Sequence, residues 1–267
     1  MKKSFALIAV CSFFFLKTNA QVLETEESKP LLPQQFEVGT GLEFQTSKEG
    51  TETALPLAIE YGLSRKFTLL VEPVGFTSIL PKMGPHAKGI GDLEMTLFYQ
   101  IVSEKKVLPS ISLSGEIKIP TAKNTLIGTG KTDYTPYVVM SKTTGKIFTS
   151  VNLSYTFLGK PEGVVANNLF NYAIGTIFTA SPKSILFGEF YGNTSGLGDA
   201  ETPEGVVTNT GSSQEISGGE NVGAIGYGYY LKKELLISLG VSYDNNNAIL
   251  FRPGIEWKFG GKKLKQQ

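Results

Sequence analysis

The chain has 267 residues, of which 11% are aromatic and 30 are glycine, with one cysteine and a formal net charge of +1. A near-neutral balance leaves no electrostatic footprint for nucleic acid, and the lone cysteine, Cys11, excludes a disulfide framework. Beyond residue 20 no apolar run has the length of a membrane helix, so if the chain crosses a membrane it does so with strands.

Lys2 and Lys3 precede an apolar run from Phe5 to Leu16, and Thr18, Asn19 and Ala20 come after it. This order reads as a secretory signal peptide, residues 1–20, cut after Ala20. The run is too short for a spanning helix. Val10 stands where a small residue would precede a lipid-modified Cys11, which argues against a lipoprotein. Residues 21–33, with Glu24, Glu26, Glu27 and Pro30, read as a flexible periplasmic lead-in. The alternative is that these residues fold up as a plug into the lumen of a barrel.

From residue 34 the chain alternates with period two. Phe36, Val38, Leu42 and Phe44 alternate with Glu37, Gly39, Gly41 and Glu43. The same holds for Leu93, Met95, Leu97 and Tyr99, for Val151, Leu153, Tyr155 and Phe157, and for Phe251, Pro253, Ile255, Trp257 and Phe259. The pattern predicts strands near 34–46, 52–62, 66–76, 90–102, 107–119, 131–142, 146–157, 168–180, 183–194, 216–231, 234–244 and 248–259. That makes about twelve strands of roughly ten residues, the length a tilted membrane strand needs.

Short turns at 63–64, 103–105, 143–145, 181–182 and 232–233 alternate with longer loops near 77–89, 120–130, 158–167 and 195–215. The shorter links near 47–51 and 245–247 fall on the long-loop side by parity. Outer-membrane barrels show this asymmetry, with short turns in the periplasm. Tyr61, Tyr99, Tyr229, Trp257 and Phe259 fall near one set of strand ends, and Tyr155, Phe157 and Tyr243 near the other, as two aromatic girdles require. A soluble sandwich also alternates, but would gather its aromatics mid-strand. The expected fold is therefore all-β: an antiparallel up-and-down transmembrane barrel of about twelve strands over 34–259, with a basic tail, 260–267, after it.

If the apolar set faces lipid, the other set faces the lumen. Asp92, Glu94, Glu116, Lys118, Asp133, Glu189, Arg252 and Glu256 are its candidate lining residues, beside Glu37, Glu43, Glu60, Glu72 and Lys258. These charges either line a polar path or pair across the interior and fill it. Twelve strands lie between the packed barrels of about eight and the open ones of sixteen. The sole histidine, His86, sits in a loop, so no strand-borne serine has a histidine to activate it. Neither catalysis, metal nor cofactor is expected. Gly128 to Thr132 resembles the tail of a phosphate loop, but no glycine stands five residues before Gly130 and no helix comes after it.

Gly89-Ile90-Gly91-Asp92-Leu93, Leu108-Pro109, Lys118-Ile119-Pro120-Thr121, Gly128-Thr129-Gly130-Lys131-Thr132-Asp133-Tyr134 and Val151 to Phe157 occur in that order. The series resembles the family of outer-membrane transporters named for the meta-pathway of phenol degradation, over about 60–157. The resemblance implies an outer-membrane barrel passing small organic molecules, aromatic or hydrophobic ones among them. It implies no catalytic residues. The residues after Phe259 depart from the usual aromatic ending of such barrels. The function expected is a passive channel for small solutes, with a closed structural or adhesion barrel as the alternative. The expected partners are outer-membrane lipid, a small-molecule solute and the barrel-assembly machinery, with no nucleic acid.

Overall fold

The computed structural model describes residues 24–162, 166–196 and 219–261. The signal peptide, residues 21–23 of the lead-in, residues 216–218 of the tenth predicted strand, most of the loop 195–215 and the tail from residue 262 lie outside the described residues. The strands are β1 (Gln35–Gly41), β2 (Glu43–Thr46), β3 (Gly50–Gly62), β4 (Phe67–Pro81), β5 (Ala87–Gly89), β6 (Leu93–Val102), β7 (Ser110–Ile119), β8 (Asp133–Thr144), β9 (Ile147–Thr156), β10 (Leu169–Ser181), β11 (Ser184–Asn193), β12 (Asn221–Lys232), β13 (Leu235–Asp244) and β14 (Ile249–Gly260).

Each strand from β6 to β14 pairs antiparallel with the next, and both β1 and β2 bridge β14 to β3. The sheet thereby closes into a twelve-strand barrel with two additional strand pieces. β1 and β2 form one stave, and β5 adds three residues to β4. Closure leaves the twelve staves without an open edge, the condition for a sheet in lipid, and only the short β5, paired with β4 alone, adds to it from outside the ring.

The predicted strand 34–46 breaks at Leu42, whose N–H donates to Pro253 O at 3.0 Å. Pro253 has no N–H to return, so the ladder is interrupted there. The predicted strand 66–76 runs on to Pro81, with a register shift opposite Leu55 and Pro56. The turn predicted at 103–105 extends to residue 109. Lys142 Nζ donates to the Lys105 carbonyl and, at 3.2 Å, to that of Leu108, while the Thr143 N–H donates to Glu104 at 2.8 Å. These bonds draw 103–109 along the rim and out of the ladder.

Burial is inverted relative to a soluble protein. Leu97, Leu153, Phe190, Leu239 and Trp257 are exposed, whereas Glu37, Glu94, Lys118, Asp133 and Ser150 are buried. Period two explains this directly, because one face of each strand meets the surroundings and the other meets the lumen. Phe36 stacks on Phe259 at 5.5 Å and Phe67 on Tyr99 at 4.6 Å at the short-turn rim, and Tyr155 meets Phe157 at 5.1 Å at the long-loop rim.

The lumen is not wholly polar. Phe148, Ile177, Ile185, Phe187 and Leu236 form one inward cluster, and Ala58, Leu70, Phe98 and Val139 form a second. Both lie in the short-turn half. A Cβ added at Gly226 would stand 2.0 Å from Phe187 Cζ, so the glycine on the inner face of β12 makes the space in which the phenyl ring lies against the wall.

Candidate functional site: an acidic cavity and the segment beneath it

Residues 24–31 run inside the barrel. The Leu31 N–H donates to Thr68 Oγ1 at 3.0 Å near the short-turn rim, and the chain leaves by a turn at Gln34, whose φ is 63°, into β1. Further in, the Ser28 N–H donates to Ser141 Oγ at 2.9 Å, and the Ser28 carbonyl accepts from Ser112 Oγ at 2.6 Å and Ser110 Oγ at 3.4 Å. The Glu26 carbonyl accepts from Ser150 Oγ at 2.6 Å. The Asn152 amide, oriented by its partners, accepts from the Glu26 N–H at 2.7 Å and donates to the Glu26 carbonyl at 3.2 Å. The Glu24 N–H donates to Glu189 Oε2 at 2.9 Å, and Thr25 Oγ1 donates to Glu189 Oε1. Arg252 pairs with Glu24 and, at 2.7 Å, with Glu43.

The strand register sets this wall. Ser110 lies opposite Ser141, and Ser141 opposite Ser150, so β7, β8 and β9 present three hydroxyls at one level. Beside the segment, which passes between the two apolar clusters, lies a void of about 40 Å³, bordered by Phe98, Phe148 and Ile177. The short-turn half of the lumen is thus filled by the chain's own backbone.

Above the segment lies a cavity of about 240 Å³. Glu24, Glu26, Glu43, Glu52, Glu72, Glu94, Glu116, Glu220 and Glu256 line it, with Arg252 as its one basic lining residue among the described residues. Tyr137 donates to Glu116 Oε2 at 2.8 Å, and Thr96 Oγ1 does so at 3.3 Å. Phe98, Phe187, Tyr172 and Tyr191 supply an aromatic part of the wall. At the long-loop mouth, burial and then the adjacent Asp244 carboxylate push Glu220 up to about 7. Carboxylates focused by low-dielectric walls concentrate cations and repel anions.

The predicted lining residues fall into separate groups. Glu94, Glu116, Arg252 and Glu256 border the cavity. Glu189 holds the segment. Asp92, Lys118 and Asp133 instead sit at the long-loop end, where the motif pieces converge. Lys118 pairs with Asp133 across the β7–β8 register, with side-chain exposures of 3% and 2%. Asp133 Oδ1 accepts the Gly159 N–H at 2.7 Å, Asp92 Oδ1 accepts the Ala122 N–H at 2.9 Å, and Thr121 Oγ1 donates to the Gly91 carbonyl at 2.9 Å. A Cβ at Gly128 would stand 2.7 Å from Asp92 Oδ2, so glycine there lets the loop close over the carboxylate. Ile127 is buried against Ile79 and Ala87 in the same place. These contacts staple the segments 82–92, 120–132 and 157–162 to the barrel.

Removing one partner of so buried a pair strands the other charge, at about 3–5 kcal/mol. Lys118→Met is expected to lower the unfolding free energy of the barrel, measured by urea titration, by that much, and Lys118→Met with Asp133→Leu by much less. Equal losses in the single and double variants, read by tryptophan fluorescence, would remove the pair from any role in stability.

The wall hydroxyls escaped sequence reasoning. Ser110, Ser112, Ser141, Ser150 and Asn152 belong to the polar half of their strands, but nothing in a lumen-facing serine distinguishes a hydrogen-bond donor to a distant segment from ordinary polar filling. His86 is exposed on its loop. Among the described residues, no group of three or more His, Cys, Asp or Glu side chains is placed to hold a metal ion.

No family model matches the chain, and no curated protein does. Solved outer-membrane barrels share its fold. An outer-membrane channel from Pseudomonas putida F1 superposes with a TM-score of 0.64 at 11% identity, over 89% of this chain and 100% of that one. The NanC porin gives 0.58 at 11%, over 83% and 100%. The KdgM porin, solved in complex with disordered oligogalacturonate, gives 0.53 at 11%, over 84% and 99%. At such identities the likeness establishes the architecture.

Proposed function

We propose that this chain is an outer-membrane channel that passes small organic solutes passively and is closed at its short-turn end by its own residues 24–31. The observation that carries this reading is the cavity of about 240 Å³, walled by carboxylates and aromatic rings, that ends on a segment held by side-chain hydrogen bonds. Neutral hydrogen bonds of this kind contribute about 1 kcal/mol each, so the segment can leave without disturbing the ladder of the barrel.

In this reading residues 1–20 direct export and are cut off after Ala20, the short turns face the periplasm, and the aromatic girdles sit at the two headgroup levels. The acidic lining favours cations, and the aromatic rings favour solutes with an apolar body, in keeping with the class that the motif series implies. The outer-membrane lipid and the barrel-assembly machinery are the partners of such a protein.

Planar-bilayer recording of the full mature chain tests the proposal. Stepwise, cation-preferring currents are expected, with a low open fraction. Glu220 adds a pH signature: as pH rises through about 7 it loses its proton, so cation preference increases, and Glu220→Gln reduces that step. Insertion without current, in the wild type and in variants that release the segment, would overturn the channel. It would favour the closed structural barrel, to which the filled short-turn half of the lumen also lends itself.

A further inference from the structure

We infer that the wall beneath residues 24–31 is a binding track for the backbone of short peptides, and that the chain's own N-terminal segment occupies it as a stand-in ligand. The inference deepens the channel reading and rests on it, because it names a class of solute that the lumen recognises.

The contacts carry the argument. The backbones of alternate residues, Glu24, Glu26 and Ser28, face the wall. Glu26 is held through both its N–H and its carbonyl by Asn152, and through the carbonyl by Ser150. Ser28 is held through its N–H by Ser141 and through its carbonyl by Ser112 and Ser110. None of these bonds involves a side chain of the segment. Ser28 Oγ, in the most buried residue of the segment, has no hydrogen-bond partner at all. What the wall reads is the amide spacing of a peptide, an N–H and a carbonyl repeated every second residue.

The donors and acceptors belong to rigid elements. Ser110 and Ser112 stand on β7, Ser141 on β8, and Ser150 and Asn152 on β9, locked by the barrel register. Ser141 and Ser150 also bond each other at 2.8 Å. Such preorganised groups lose little freedom on binding. When the segment leaves, these side chains turn to water, and a peptide entering from either end meets the same row of partners. Glu189 and Arg252 stand at the inner end of the row, where Glu24 lies.

The test uses the full mature chain with Glu26→Pro and Ser28→Pro, which removes both N–H donors and releases the segment. The probe is a fluorescently labelled octapeptide of residues 24–31, tracked by anisotropy in detergent micelles. The released chain is expected to bind it about tenfold more tightly than the wild type, in which the tethered segment competes. An octapeptide N-methylated at the positions of Glu26 and Ser28 should lose about tenfold or more. One with alanine side chains at the same two positions should bind within a few-fold of the parent. Asn152→Leu with Ser112→Ala in the released chain should abolish binding. Equal binding of the N-methylated peptide, or no binding at millimolar peptide, overturns the track. If the double proline variant does not show heat-modifiable migration, Ser28→Pro alone is used with the same peptides and the same criteria. Binding is read without current, so a conducting barrel that ignores the peptide overturns the track alone. A barrel that binds the peptide but never conducts overturns the channel alone.

Discussion

Exchanging Ser28 for proline is expected to turn a mostly closed barrel into a mostly open one. Proline removes the N–H that Ser141 accepts at 2.9 Å, and its ring displaces the carbonyl that Ser112 and Ser110 hold. Two to three bonds at about 1 kcal/mol each amount to roughly 2–3 kcal/mol. At about 1.4 kcal/mol per tenfold, the ratio of open to closed time should rise on the order of 30- to 100-fold. Single-channel recording in a planar bilayer measures that ratio directly. Ser28→Ala is the matched control: it deletes a hydroxyl with no partner and keeps every backbone contact, so gating should stay close to that of the wild type. If alanine opens the barrel as far as proline does, or if neither changes the record, the segment does not close the path.

The second large effect concerns selectivity. Glu94→Gln with Glu116→Gln takes two carboxylates out of a cavity that Arg252 alone counters among the described residues. The ratio of cation to anion permeability should fall severalfold, read as a smaller reversal potential across a salt gradient. The change should be greater in dilute salt, since the screening length is about 10 Å at 0.1 M and shrinks as salt is added. Asp92→Asn provides the contrast. Asp92 stands two residues from Glu94 and alternation places it on the same face, yet its carboxylate accepts the Ala122 N–H under the loop 120–132. Its neutralisation should loosen that loop and leave the reversal potential where it was. A reversal potential that moves with Asp92→Asn, or holds in the double glutamine variant, would mean that the carboxylates at Glu94 and Glu116 do not face the permeating ion.

The barrel is legible in the residue pattern alone. A period of two states which side chains share a face, and a lipid-spanning sheet admits only one assignment of those faces. Twelve such segments, with turns and loops in strict alternation, leave closure as the one arrangement without an edge. Phe36 thereby meets Phe259 and Glu37 meets Lys258 across the seam of β1 and β14, and Glu94, Glu116 and Glu256 turn inward. The same rule misjudged the inner faces of β9 to β13 near the short turns. There Phe148, Ile177, Ile185, Phe187 and Leu236 point into the lumen, because a filled interior needs apolar packing as much as a lipid-facing exterior does.

The contents of that interior follow from contacts that exist only in the folded barrel. Residues 24–31 have no period, and their composition favours a free lead-in. Their partners Ser141, Ser150 and Glu189 lie 113 to 165 positions away along the chain. Those partners come together only when neighbouring strands fall into register and the sheet closes. The parting of Asp92 from Glu94 has the same origin. Alternation puts both on one face, but the loop 120–132, which carries no such pattern, folds over one and leaves the other to the cavity.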